Sequence, residues 1–220
     1  MGKENAVTDF HEETMTRSQA RQLERLASAI GDEGWYLAGG TALAIYLGHR
    51  RSVDLEWFAP ALTDPLALAA RIRDAGLAME VRNIAKGTLE GTVGGVRVSF
   101  MEYRYPMLRK TTRWKEKGAA LASLDDLAAM KLSAVAQRGS RKDFIDIYAL
   151  GTKHRPLPGL LGCYSRKFGI AEPSHVLYGL AWFEDAERER MPRMIERWTW
   201  PSMKADIQAW VKDLSVWKKR

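Results

Sequence analysis

The chain has 220 residues, of which 46% are hydrophobic and 28% are charged, so it has enough apolar side chains to bury the core of a soluble globular protein. Its single cysteine, Cys163, excludes an internal disulfide framework and a cysteine-ligated zinc site within one chain. No apolar run approaches the ~20 residues that a membrane-spanning helix needs, and no apolar signal core follows Met1. We therefore expect a cytoplasmic protein with no membrane partner.

The net charge of +7 favours a polyanionic partner such as RNA. Basic residues gather over residues 104–117 and 138–142 and at the Lys218-Lys219-Arg220 end. An ordinary solvated basic surface would have the same composition, so charge alone leaves both interpretations open.

Helical periodicity over residues 16–30, with Thr16 as its N-cap, predicts a first helix that ends at Gly31. The pattern then predicts a short buried strand, a second helix, a second strand and a helix that begins at Pro65. The first three of these cover residues 35–38, 41–47 and 52–58. In the helix after Pro65, an inward-packing stripe is expected at Leu66, Leu68, Ala69, Ile72 and Leu77.

Three strands are predicted over residues 79–84, 88–93 and 96–103, and Gly94-Gly95 is a two-residue hairpin signal between the last two. Tyr105-Pro106 is expected to end the sheet. From Ser123, a predicted N-cap, the pattern becomes helical. It includes helices after Ser123, over residues 141–150, from Pro173 into the charged tract 184–190, and from Pro201, with a loop-rich connector over residues 156–169.

These elements predict an α+β fold. Residues 1–120 are expected to form a mixed sheet with flanking helices, and residues 121–220 a C-terminal helical domain.

The glycine pair Gly39-Gly40, followed by Thr41, opens the second predicted helix. Glycines let the backbone approach a phosphate closely, and the free amides at a helix start bind anions. The Thr41 hydroxyl can add a hydrogen bond to a phosphate oxygen. A tight turn with a threonine cap explains the same residues, and a glycine pair alone does not separate the two.

Asp54 and Glu56 lie two residues apart in the second predicted strand, so their side chains share one face while Val53, Leu55 and Trp57 point into the core. Two neighbouring carboxylates repel unless a cation lies between them, and a divalent metal is the simplest candidate. The alternative is the solvated face of an edge strand.

Lys131 and Arg138 are seven residues apart, close to two helical turns, so both project from one helix face. They could hold phosphates. Asp143 and Asp146 share a face of the next helix and could orient either cation, although ordinary salt bridges between helices have the same spacing. His49 is expected to be a partly buried loop residue.

Together, the segments Ala38–Leu43, His49–Glu56, Met130–Leu132 and Arg138–Tyr148 resemble the AbiEii/AbiGii toxin family of nucleotidyltransferases. The resemblance implies a polymerase-beta-like nucleotidyltransferase fold with Mg²⁺ as cofactor. It implies transfer of a nucleoside monophosphate from an NTP to RNA, with tRNA acceptor ends as the target. It also implies a toxin with a cognate antitoxin protein, in phage defence or plasmid maintenance.

The resemblance also implies roles for individual residues. Asp54, Glu56 and Lys131 would be catalytic. Asp54 and Glu56 would hold the metal, and Lys131 would bind the triphosphate. The nucleotide-binding positions would be Gly39, Gly40, Thr41, Arg51, Ser52, Arg138, Lys142, Asp143 and Asp146.

Two positions depart from the family pattern. The second metal carboxylate, usually an aspartate, is Glu56. The third carboxylate, expected on a later strand, falls at Ser99, while Glu90 and Glu102 are the other candidates and Glu102 has the wrong strand parity. A catalytically degenerate protein that binds nucleotide or RNA without turnover is therefore the alternative function.

Overall fold

The structure is a computed structural model that describes residues 9–31 and 33–217, without the side chains of residues 215–217. The sequence features at residues 1–8, including the region after Met1 that shows no signal core, lie outside the described residues. So does the basic end at residues 218–220.

Within the described residues, seven strands form one mixed sheet in the order β3-β4-β5-β2-β1-β7-β6. The strands are β1 (Tyr36–Leu37), β2 (Asp54–Ala59), β3 (Met79–Ala85), β4 (Thr88–Val93), β5 (Val96–Glu102), β6 (Thr112–Trp114) and β7 (Ala119–Leu121). Strand β2 pairs antiparallel with β1 and parallel with β5. The predicted acidic strand is therefore an interior strand, which excludes the edge-strand interpretation of Asp54 and Glu56.

The helices are α1 (Arg17–Ile30), α2 (Gly39–Leu47), α3 (Pro65–Asp74), α4 (Leu124–Gln137), α5 (Arg141–Lys153), α6 (Leu157–Phe168), α7 (Ser174–Ala181), α8 (Glu184–Glu187) and α9 (Trp200–Trp217). Helices α1 and α3 pack on the sheet, and α2 contacts β2 as well as α4 and α5. Helix α2 therefore joins the sheet to the helices that follow it, and the α+β architecture is confirmed.

Side-chain caps fix two of the helix starts that the sequence predicts. The Thr16 hydroxyl accepts a hydrogen bond from the Gln19 amide, and the Gln19 side chain accepts one from the Thr16 amide, which completes a capping box. The Ser123 hydroxyl accepts a hydrogen bond from the Asp126 amide at the start of α4. Each cap satisfies amides that would otherwise be unpaired at a helix start.

The strand parity of β5 is also confirmed. Val96, Val98 and Phe100 are buried on one face, and Arg97 is exposed on the other. The hairpin before β5 turns through Gly94 and Gly95, whose φ angles of 56° and 77° are those of a tight two-residue hairpin turn.

The expectation that Tyr105-Pro106 ends the sheet is wrong. The short strands β6 and β7 follow it, and β7 pairs parallel with β1 at Leu37 and Leu121. Strands of three residues are too short to show an alternating pattern, so their positions come from pairing across the sheet.

The predicted connector over residues 156–169 is wrong as well, because α6 covers most of it. Leu157, Leu160, Leu161 and Tyr164 are buried at helical spacing. Burial of this stripe outweighs the low helix propensity of the glycines at 159 and 162.

Three smaller expectations also fail. Leu66 is 63% exposed, whereas Leu68, Ala69, Ile72 and Leu77 are buried. Val53 is 60% exposed because β2 begins only at Asp54, so its side chain is not held by the sheet. The helix predicted from Pro173 breaks at Trp182, which has an extended backbone, before the short α8.

The chain changes from sheet to helix between Leu121 and Leu124, close to the predicted boundary. The division into domains 1–120 and 121–220 nevertheless stays a prediction. Across the described ranges, no helix combines the length and the apolar character that crossing a bilayer requires.

Candidate active site

A cleft with a volume of about 240 Å³ brings distant parts of the chain together. It is lined by Gly40, Arg50, Arg51, Ser52, Val53, Asp54, Glu56, Lys131, Arg138, Lys142, Pro192 and Arg193. Eight of these were predicted as site residues: Gly40, Arg51, Ser52, Asp54, Glu56, Lys131, Arg138 and Lys142. The other predicted residues, Gly39, Thr41, Asp143 and Asp146, contact residues of this wall.

The carboxylates of Asp54 and Glu56 lie on one face of β2, and both residues are half-buried. Leu55 and Trp57, which alternate with them, are buried on the other face. The strand period of two therefore places both carboxylates at the cleft, as the sequence predicts.

Glu56 is bonded to the start of α2. The Gly40 amide donates a hydrogen bond of 3.2 Å to Glu56 Oε2. A side chain at position 39 would place its Cβ 1.7 Å from the same oxygen, and Gly39 also has a φ of 64°. The positive φ thus favours glycine at position 39, and a side chain there would also displace the Glu56 carboxylate from its bond to Gly40. The amide predicted to bind phosphate already binds an anion of the chain itself.

Thr41 is buried, and its hydroxyl donates to the backbone carbonyl of Asp54. The hydroxyl also lies 2.8 Å from the Ser52 hydroxyl. Thr41 therefore ties α2 to the beginning of β2 and directs its hydroxyl away from the cleft, while Ser52 lines the cleft.

Arg97 of β5 pairs with Asp54. The two residues are partners in the parallel register of β2 and β5. Arg97 Nε lies 2.7 Å from Asp54 Oδ1, and Arg97 Nη2 donates to Asp54 Oδ2 at 3.2 Å. The sequence places Arg97 on the correct face, but the parallel pairing that brings it to Asp54 is not visible in the sequence.

The same register locates the candidates for a third carboxylate. Ser99 is the partner of Glu56 on β5, and Glu90 is the partner of Ser99 on β4. Glu90 is therefore on the face of Glu56 but two strand spacings away, roughly 10 Å between backbones. Its carboxylate accepts a hydrogen bond from Asn83 at 3.1 Å. Glu102 is on the opposite face, where it accepts a hydrogen bond from the Leu62 amide at 3.1 Å.

Asp54 and Glu56 fit a magnesium ion as a two-carboxylate set. Mg²⁺ is commonly bound by one or two carboxylates together with waters and substrate phosphates. Asp54 Oδ1 is shielded from solvent and lies 2.7 Å from Arg97 Nε, a contact that an incoming cation would have to replace. Among the described residues, no group of three or more His, Cys, Asp or Glu side chains is placed to hold a metal ion, so phosphate oxygens would have to complete the coordination.

Behind the cleft, Asp146 is completely buried and joins three elements. Its Oδ1 lies 2.8 Å from His49 Nε2 and 2.7 Å from Arg50 Nε, and its Oδ2 accepts from Arg50 Nη2 at 2.9 Å. Lys131 Nζ lies 2.7 Å from the same Oδ2. A buried carboxylate with this many donors is compensated for the water it has lost.

Asp143, one turn earlier on α5, is also completely buried and binds the two cations of α4. Lys131 Nζ lies 3.1 Å from Asp143 Oδ1. Arg138 Nε lies 2.8 Å from Oδ2, and the Ser140 hydroxyl donates to the same oxygen at 2.6 Å. The seven-residue spacing of Lys131 and Arg138 thus places both on one face, and Asp143 and Asp146 form ion pairs with them.

These pairs shift the ionisation of the buried groups. Burial alone would raise the pKa of Asp146, but Arg50 and Lys131 hold it well below its usual value. Burial would likewise lower the pKa of Lys131, but Asp146 and Asp143 raise it, so the ammonium stays charged. Burial lowers the pKa of His49 despite Asp146, so His49 is neutral and its Nε2–H donates to the carboxylate.

The expectation for His49 is therefore wrong, because this residue is fully buried. Arg50, buried beside it, was not among the predicted site residues. A positively charged residue before an acidic strand gave no signal that it would turn inward to Asp146.

The last wall of the cleft comes from the segment Pro192-Arg193. The Arg51 amide donates to the Arg193 carbonyl at 2.8 Å, and Arg50 forms a β-bridge with Met194. Sequence reasoning missed this segment because it has no helical or strand period. It adds a further cation to the cleft.

Cationic side chains outnumber carboxylates here. The cleft is lined by six cations, namely Arg50, Arg51, Lys131, Arg138, Lys142 and Arg193. The carboxylates are Asp54 and Glu56 at the surface and Asp143 and Asp146 behind it. The arrangement therefore favours a ligand with several negative charges that approaches Asp54 and Glu56 together with a cation.

An uncharacterised protein of Aquifex aeolicus is 36% identical to this chain over 178 residues, which are 80% of this chain and 86% of the relative. No protein-family model matches the chain. Membership of the AbiEii/AbiGii family itself therefore stays a prediction.

Two solved structures are similar in fold. MenT4, a nucleotidyltransferase toxin of Mycobacterium tuberculosis, has a TM-score of 0.51 and 14% identity, with 87% of this chain and 86% of MenT4 covered. The Helicobacter pylori protein JHP933 has a TM-score of 0.51 and 15% identity, with 90% of this chain and 92% of JHP933 covered. The fold is thus that of a nucleotidyltransferase.

Proposed function

The chain belongs to the same family as the Aquifex aeolicus protein, and we propose that it is a Mg²⁺-dependent nucleotidyltransferase. The reaction is transfer of a nucleoside monophosphate from an NTP to an RNA acceptor, with tRNA ends as the preferred acceptor. The proposal rests on one observation. Two carboxylates of β2, the start of α2 and six cations from separate parts of the chain line one cleft.

The residues of the cleft suit the parts of such a substrate. Arg51, Lys142 and Arg193 would bind the triphosphate from the open side. Arg138 is 59% exposed, so it can reach a phosphate while it remains bonded to Asp143. Phosphoryl transfer depends mostly on positioning and on stabilising negative charge, and these cations supply both.

Lys131 has a different role from the one that the resemblance implies. Its side chain is 7% exposed, and its ammonium is held between Asp143 and Asp146. It therefore acts on the leaving pyrophosphate mainly as a fixed positive charge in the cleft wall. Asp143 and Asp146 act through it and through Arg138 and Arg50, and they do not contact the nucleotide.

Asp54 and Glu56 would hold the magnesium ion. When bound, the ion would offset charge on the phosphates that enter the cleft. The Gly40 amide, which Glu56 now occupies, would become available to a phosphate oxygen if Glu56 turned toward the ion. Asp54 would serve the acceptor side once Arg97, whose Nε lies 2.7 Å from Asp54 Oδ1, has been displaced.

The test is label transfer from each of the four α-³²P-labelled NTPs to total cellular RNA, with the labelled species separated on a gel. We expect the wild type to label RNA with at least one NTP. Asp54→Asn should reduce the rate at least about 100-fold, because it removes a metal ligand without changing side-chain size.

Asp74→Asn is the matched control. Asp74 is exposed at the end of α3 and away from the cleft, and the substitution changes the net charge equally. We expect it to label RNA at the wild-type rate. If the wild-type protein labels no RNA with any of the four NTPs, the proposed activity is contradicted.

We further propose that the transfer makes the protein a toxin with a cognate antitoxin. The resemblance to AbiEii/AbiGii toxins and the fold shared with the toxin MenT4 support this role. Induced expression in a bacterial host should arrest growth, and Asp54→Asn should not. Arrest by both forms would separate toxicity from transfer.

The second candidate function is nucleotide or RNA binding without turnover. Two observations favour it. Ser99 replaces the expected third carboxylate, and Arg97 neutralises Asp54. A binding protein of this kind would retain a labelled NTP on a filter but release no pyrophosphate, so a pyrophosphate assay distinguishes the two functions.

A further inference from the structure

Arg97 places a cation of the chain itself at the carboxylate that the proposed magnesium ion would need. Its guanidinium faces both oxygens of Asp54, with Nε 2.7 Å from Oδ1 and Nη2 3.2 Å from Oδ2. The parallel register makes the two residues direct neighbours on one face of the sheet. A guanidinium and a divalent cation approach the same oxygens and repel each other, so they compete for Asp54.

Solvent reaches the ion pair of Arg97 and Asp54, so each residue can exchange its partner. The Arg97 side chain is 62% exposed and the Asp54 side chain is 34% exposed. Ion pairs that solvent reaches contribute little stability, since water can replace the partner. Arg97 can therefore leave Asp54 at little cost when another anion and another cation become available.

An NTP with a bound divalent cation supplies both an anion for Arg97 and a cation for Asp54. Its triphosphate offers oxygens that an arginine can bind in place of a carboxylate, and its cation can replace the guanidinium at Asp54. A free divalent cation supplies only half of this exchange, because it displaces Arg97 without giving it a new partner.

We propose that Arg97 is a positioning residue that holds Asp54 until the nucleotide arrives, so that the divalent cation binds with the nucleotide and not before it. This inference rests on the proposed function, because it requires that Asp54 and Glu56 bind a metal. Arg97 also keeps Asp54 oriented toward the cleft in the absence of metal.

The test is Mn²⁺ binding to the full chain, measured by the loss of the free-ion signal in electron paramagnetic resonance. Titrations are run with Mn²⁺ alone and with Mn²⁺ plus a non-hydrolysable NTP analogue. For the wild type we expect weak binding alone and clearly tighter binding with the analogue. Arg97→Gln should bind Mn²⁺ alone about fivefold tighter than the wild type, as expected for the loss of one exposed competing ion pair.

Arg104→Gln is the matched control. Arg104 is 75% exposed, follows β5 in the chain and pairs with Glu102 on the opposite face of the sheet. The substitution removes the same charge at a similar depth but leaves Asp54 untouched, so Mn²⁺ affinity should stay within about twofold of the wild type. An equal gain in Arg97→Gln and Arg104→Gln would assign the effect to net charge and overturn the proposal.

The Asp54→Asn variant shows whether Arg97 acts through Asp54. In Asp54→Asn, the additional Arg97→Gln substitution should leave Mn²⁺ affinity unchanged, because the competition has been removed. Arg97→Lys should restore weak binding of Mn²⁺ alone. If Arg97→Gln and the wild type bind Mn²⁺ alone equally, the proposal fails.

This failure differs from a failure of the proposed function. If neither the wild type nor Arg97→Gln binds Mn²⁺ with or without the analogue, the metal site itself is wrong and both proposals fall. If Arg97→Gln binds tighter but no protein transfers label, Arg97 controls metal loading in a protein that binds nucleotide without turnover.

Discussion

Two arginine–aspartate pairs in this molecule have similar distances between nitrogen and oxygen. In each, Nε lies 2.7 Å from one carboxylate oxygen, and Nη2 donates to the other at 2.9 Å for Arg50–Asp146 and 3.2 Å for Arg97–Asp54. They differ in burial. The first pair is 4% and 0% exposed, and the second is 62% and 34% exposed.

Burial therefore decides what each pair can do. Asp146 has lost its water and is also bonded to His49 and Lys131. Breaking its pair with Arg50 would leave the buried Arg50 guanidinium without its carboxylate. Asp54 can exchange Arg97 for solvent or for another cation. The buried pair fixes the wall of the cleft, and the exposed pair leaves the reactive carboxylate free to change partners.

The largest expected effect is the loss of stability on Asp146→Asn. The substitution leaves Arg50 and Lys131 buried without the Asp146 carboxylate. Because breaking a buried ion pair costs about 3–5 kcal/mol, we expect the free energy of unfolding to fall by that amount. Urea unfolding followed by circular dichroism measures it, and Asp74→Asn, at an exposed site, should change the free energy of unfolding by less than about 0.5 kcal/mol. A loss of the same size in both variants would mean that the buried network carries no special stability.

The second effect is a loss of stability in acid. The pKa values of Asp146 and Asp143 are lowered in the folded protein, so their contribution is present above about pH 4 and is lost as pH falls through the folded values. Burial also lowers the pKa of His49. The unfolded chain therefore takes up a proton at this histidine first, and stability should begin to fall below about pH 6.5.

Unfolding free energies of the wild type and His49→Gln between pH 7 and pH 3 check this order. The wild type should lose more stability than His49→Gln between pH 6.5 and pH 4.5, and both should lose it steeply below pH 4. Parallel curves over the upper range would show that His49 keeps an ordinary pKa in the folded protein.

The smallest expected effect is that of Arg97→Gln on stability. Because solvent reaches this pair, its loss should cost less than about 1 kcal/mol, in contrast to Asp146→Asn. Urea unfolding under the same conditions measures it. A cost near that of Asp146→Asn would mean that the two pairs are energetically alike, and Arg97 could not act as an exchangeable partner.

Local sequence patterns correctly predicted where most of the site residues lie. The period of two in β2 placed Asp54 and Glu56 on one face, and the seven-residue spacing in α4 placed Lys131 and Arg138 together. Caps at Thr16 and Ser123 fixed helix starts, because these interactions involve residues a few positions apart.

The contacts that the sequence did not predict depend on residues that are far apart in the chain. The parallel register of β2 with β5 decides that Asp54 meets Arg97, and nothing local to either strand records it. The inward turn of Arg50 depends on Asp146, 96 residues later. The strands β6 and β7 are too short to show a period, and α6 was obscured by its glycines although its buried stripe has helical spacing.

The bond from the Arg51 amide to the Arg193 carbonyl has a consequence for the order in which the molecule is assembled. The ribosome makes the carboxylates of β2 more than a hundred residues before it makes this segment. A nascent chain that has not yet reached Pro192-Arg193 has all seven strands of the sheet, but it lacks one side of the cleft. The cleft is therefore completed only after Pro192-Arg193 has been synthesised.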